Sequence, residues 1–130
     1  MSPTTGGSMP KPSPAAAAAF ATLLPDGPDV NARPMFGNPA AFVNGNLFTG
    51  LFGDNLFVRL SESDEQQLRA EGGTDFSPMP GRPMKGYTTL PATWASDLAS
   101  ARRWVAVSAA LVRTLPPKAR TARGAERKKR

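Results

Sequence analysis

The chain has 130 residues, and 20 of its 52 apolar residues are alanine, while Leu, Val and Phe number 24 and isoleucine is absent. It contains neither cysteine nor histidine, which excludes disulfides, thiolate nucleophiles, zinc fingers and Ser-His-Asp triads. The formal charge is +6, but residues 118–130 carry seven bases and one acid, so residues 1–117 hold nine of each sign and sum to zero.

Residues 1–14 contain four prolines and two glycines. They lack the apolar surface to offset ordering entropy and are expected to be disordered. Ala15 to Leu24 reads as a helix, because alanine has the best intrinsic propensity and Phe20, Leu23 and Leu24 share one face. Its apolar run is too short and too rich in alanine for a secretory signal or a membrane span. Pro25-Asp26-Gly27-Pro28 stops it.

From Val30 to Leu60 the pattern is strand and turn, with 12 of 31 residues Leu, Val or Phe. Asn44-Gly45 predicts a type I′ hairpin, pairing Val43 with Asn46 and Phe42 with Leu47. Gly53-Asp54 suits a type II′ turn, pairing Phe52 with Asn55 and Leu51 with Leu56. Strict alternation then gives one face Phe42, Leu47, Thr49, Leu51, Leu56, Val58 and Leu60. This is the expected core, under a helix carrying Leu98, Val105 and Val112. The other face receives Val43, Phe48, Phe52, Phe57 and Arg59. Three phenylalanines on one solvent face require a cover. Either a helix of the same chain supplies it, or Phe48, Phe52 and Phe57 form an interface with a partner or a second copy.

Ser61 caps a second helix whose first turn holds Glu62, Asp64 and Glu65, and Gly72-Gly73 ends it. A loop with Pro78, Pro80 and Pro83 precedes a strand over Lys85 to Leu90. The last helix starts at Pro91 or Ser96. Leu98, Ala101, Val105, Ser108, Val112 and Leu115 mark its packing face, and Pro116-Pro117 ends it. The fold class is therefore α+β. It is an antiparallel sheet built from a β-meander with packed helices, one small domain over residues 15–117 between disordered termini, 1–14 and 118–130.

Arg33-Pro34-Met35-Phe36-Gly37, Val43-Asn44-Gly45-Asn46-Leu47-Phe48, Asp54-Asn55-Leu56-Phe57-Val58-Arg59 and Met79 to Tyr87 with Leu90-Pro91 stand in order. At these spacings the stretch from Val30 to Leu115 resembles the TfoX (Sxy) N-terminal domain family. The Asp-Gly turn of the family is Asn-Gly here. Phe and Arg replace Tyr and Lys in its Gly-x-Leu-Tyr-Leu-Lys strand. The resemblance implies the same α+β class and a bacterial, cytoplasmic setting. Founding members regulate natural competence genes with a DNA-bound activator and carry a second helical domain, for which no counterpart follows Leu115. The resemblance brings no catalytic residue set.

The expected function is a non-enzymatic regulatory or protein-interaction module, with no catalytic, cofactor or metal site and no membrane contact. The alternative is a nucleic-acid-associated accessory protein, binding non-specifically through Lys118, Arg120, Arg123, Arg127, Lys128, Lys129 and Arg130. That stretch has no aromatic residue to stack on a base. A third reading is a small enzyme or anion-binding protein centred on Arg82 and Lys85, beside Tyr87; without the glycine spacing of a phosphate loop, those cations are better explained as solvated turn residues.

Overall fold

The computed structural model describes residues 11–35, 37–77 and 81–117. The expected tail and most of the expected N-terminal segment lie outside them, as do Phe36 and residues 78–80 of the proline loop. A short helix, α1 (Pro14–Ala21), is followed by a six-stranded antiparallel sheet. The strands are β1 (Val30–Met35), β2 (Asn38–Val43), β3 (Asn46–Phe52), β4 (Asn55–Arg59), β5 (Thr74–Asp75) and β6 (Tyr87–Thr89). Their spatial order is β1-β2-β3-β4-β6-β5. Helix α2 (Glu62–Ala70) connects β4 to β5. A 3₁₀ turn (Ala92–Ser96) leads into α3 (Leu98–Arg113), which Asp97 caps by accepting from the Ser100 N–H.

Local chemistry explains most boundaries. Asn44 and Gly45 both take positive φ, +50° and +84°, as a type I′ turn demands. Gly53 at +62° opens the next turn. Both hairpins close in the expected pairs, Val43 with Asn46 and Phe52 with Asn55. The Ser61 hydroxyl accepts from the Asp64 N–H at the start of α2. The first helix ends at Ala21, short of Leu24, yet Leu23 is still buried.

The face assignment needs correction. Ala41 pairs with Thr49, but Phe42 pairs with Leu47, so Phe48 is an extra residue in β3. This β-bulge reverses the alternation toward the Asn44-Gly45 turn. Phe48 and Val43 therefore join Leu51, Leu56 and Val58 against α3, together with Trp104, Val105 and Val112. Phe42 and Leu47, expected in that core, lie on the opposite face, where Leu47 packs beside Phe57 and Tyr87.

A helix side chain repairs the ladder at the bulge. The Ser108 hydroxyl donates to the Phe48 carbonyl (2.7 Å) and accepts from the Arg59 N–H (3.1 Å). Ser108 is fully buried, so it links α3, β3 and β4 where no water substitutes. Ser108→Ala is expected to cost about 1–3 kcal/mol, the penalty for stranding buried backbone groups, measured by urea unfolding.

Candidate interaction surfaces

The face of the sheet away from α3 is built around aromatic rings. Phe57 stacks on Phe76 at 4.0 Å between centroids and 11° between planes. Phe52 meets Phe76 edge-on at 5.7 Å, and Tyr87 meets Phe57 at 5.9 Å. Gly50 lies opposite Phe57, and a Cβ there would stand 2.8 Å from the ring, so only glycine leaves the ring its place. The cover over Phe57 is thus the segment after β5, with Phe76 and Met84, and not a helix. Met84 is held there by its N–H bond to the Phe76 carbonyl (2.7 Å).

Of the three phenylalanines of the expected interface, Phe52 and Phe57 share one cluster and Phe48 is parted from them. Phe48 is buried beneath α3 on the other side of the sheet. Phe57 is buried under Phe76, and Phe52 is half-buried at the cluster's margin. Arg82 and Lys85 flank Met84 and are exposed, and Tyr87 follows them. The Tyr87 hydroxyl donates to the Leu47 carbonyl (3.1 Å). Burial pushes the Tyr87 phenol above its ordinary range, while the charge of nearby Arg59 and a bond to it act in the other direction.

Charge on the domain is segregated. The strand positions on the aromatic face are Asn31, Arg33 and Met35; Asn38, Ala40 and Phe42; Leu47, Gly50 and Phe52; Asn55, Phe57 and Arg59; Tyr87 and Thr89; and Thr74. None is acidic. Asp75, next to Thr74, points to the helix side and pairs with Arg69 of α2. Asp29 and Glu71 pair with Arg113 and Arg103 of α3. The Arg113 guanidinium bonded to Asp29 holds that carboxyl below the usual carboxylate range. Among the described residues, Arg33, Arg59, Arg82 and Lys85 form no ion pair. Arg33 lies over the Phe42 ring at 4.2 Å and Arg59 over Tyr87 at 5.8 Å.

The second surface is the β1 edge, which sequence reasoning passed over. Pro34 faces Pro39 across the ladder, and neither has an N–H, so this is a non-bonded pair. Alternation then turns the main-chain groups of Val30, Ala32 and Pro34 away from β2. Val30 uses its N–H on the Gly27 carbonyl, and Pro34 has none. Ala32 is left as the one β1 residue offering both donor and acceptor at the edge. Beside it runs an apolar groove of about 420 Å³, walled by Ala17, Ala21 and Leu24 on one side and by Ala32, Pro34 and Pro39 on the other. The available signals were a proline within a strand, which marks an edge, and the small side chains of the alanine-rich helix.

Among the described residues no helix is long and apolar enough to cross a membrane, and no cluster of three acidic side chains is placed to hold a metal ion. The model of a protein family described as TfoX N-terminal domain matches residues 22–111. No curated protein matches the chain. The matched stretch begins just past α1 and ends inside α3, so Ala17 and Ala21 of the groove wall lie outside it and Leu24 lies within it.

Proposed function

The chain belongs to the TfoX N-terminal domain family, and from that premise we propose that it is a non-enzymatic regulatory module that holds a protein partner along β1. The observation that carries this reading is the coincidence of a single open hydrogen-bonding residue, Ala32, with the apolar groove between α1 and β1. An extended apolar segment of the partner gains two backbone bonds at Ala32 and buries its side chains in the groove. Pro34 and Arg33 restrict pairing to that short stretch, which guards the edge against indiscriminate strand addition. Because α1 lies outside the family match, its wall is where this chain sets its own partner preference.

A photo-reactive residue at Ala21 is expected to give one defined protein adduct in the native cell. The same residue at exposed Gln66 on α2 is expected to give none. Ala32→Pro removes the edge N–H without touching the β1–β2 ladder, so it is expected to abolish the Ala21 adduct while the melting curve stays in place. Equal labelling at Ala21 and Gln66 would overturn the reading.

A further inference from the structure

We propose that the aromatic face of the sheet, at the end bearing the Asn44-Gly45 turn, is a contact surface for the phosphate backbone of duplex nucleic acid. Three observations converge there. First, the register sets Asn31, Phe42 and Leu47 side by side on β1 to β3 and Arg59 beside Tyr87 on β4 and β6, and Arg33, two residues along β1 from Asn31, reaches diagonally over the Phe42 ring, so two cation–ring pairs lie on this one face. Second, Arg33, Arg59, Arg82 and Lys85 have no carboxylate partner among the described residues, and no strand position on this face is acidic. Residues 1–117, whose charges sum to zero, thus carry four unpaired cations here, Arg33 and Arg59 on the strands and Arg82 and Lys85 on the exposed side of the segment whose Met84 packs over Phe57.

Third, a pocket of about 110 Å³ is lined by Asn31, Ala32, Arg33, Phe42 and Gly45. It offers a guanidinium and a side-chain amide to a group the size of a phosphate, contacts that position a backbone without reading sequence.

The rings favour duplex phosphates over unstacked bases. Arg33 covers Phe42, Arg59 lies over Tyr87, and Phe57 and Phe76 are stacked on each other. A single strand has little bare aromatic surface to stack on, whereas the guanidinium groups remain available to phosphate oxygens.

The test is fluorescence-anisotropy binding of the full chain to two unrelated DNA duplexes across a salt series. Wild type is expected to bind both alike, with affinity falling steeply with salt. The double variant Arg33→Gln/Arg59→Gln is expected to lower the magnitude of the log K–log salt slope by about 2, one contact for each cation. Deleting residues 118–130 is expected to leave a slope of about −3 to −4, from four remaining contacts. Arg82→Gln/Lys85→Gln, at exposed loop positions, repeats the slope measurement without touching a strand. Slopes unchanged in both double variants, or no duplex binding by the tail-deleted chain, would overturn the proposal. Binding to polyglutamate but not to duplex would also overturn it and assign the face to an acidic protein.

Discussion

Phe48→Ala is expected to lower the unfolding free energy by about 3–5 kcal/mol, the cost of emptying a fully buried phenyl site. Phe48 is among the largest side chains with essentially no exposure and packs against Trp104, Val105 and their neighbours. Its neighbour Leu47 is half-buried on the other side of the sheet, so Leu47→Ala is expected to cost only about 1 kcal/mol. Strict alternation reverses this ranking, since it buries Leu47 and exposes Phe48. Urea unfolding of the two variants decides it, and a larger loss at Leu47 would remove the bulge.

Phe76→Ala is expected to cost a similar 3–5 kcal/mol, for a different reason. Phe76 is 3% exposed although it lies in a connecting segment. Its ring covers Phe57 and meets Phe52, and such ring pairs contribute about 0.5–1.5 kcal/mol beyond burial. Truncation uncovers both rings at once and leaves an apolar patch on the sheet. The variant is therefore expected to melt earlier and to self-associate in sedimentation velocity. A variant that stays monomeric with an unshifted melt would show that Phe76 does not cover the face.

The two surfaces open on opposite sides of the sheet and meet at Ala32 and Arg33, which line both the groove and the small pocket. The groove lies on the helix side of β1, and the cations lie on the aromatic face. Asp29–Arg113 and Asn46–Pro116 fix the end of α3 against β1 and the hairpin turn, so the departure point of the basic stretch is set by the folded domain.

Sequence alone determined what depends on near neighbours along the chain. Asn44-Gly45 and Gly53-Asp54 fixed both hairpin registers, because few residues accept the positive φ these turns impose. Ser61 and Pro116-Pro117 marked helix ends in the same local way. The fold class and the family followed from those elements in order. Only the tertiary structure decided which face each strand residue takes, because the bulge at Phe48 depends on α3, 60 residues away, supplying Ser108 to the interrupted ladder. It also decided the cover over Phe57, since Phe76 stands in a stretch with no periodicity to announce it. The charge count to residue 117 is zero in the sequence. Folding pairs Asp29, Glu71 and Asp75 with arginines of α2 and α3. Arg33 and Arg82 stand only four and seven residues from Asp29 and Asp75 in the chain, yet they are left without an acid, as are Arg59 and Lys85, because charge sums along a chain while its field depends on position in space.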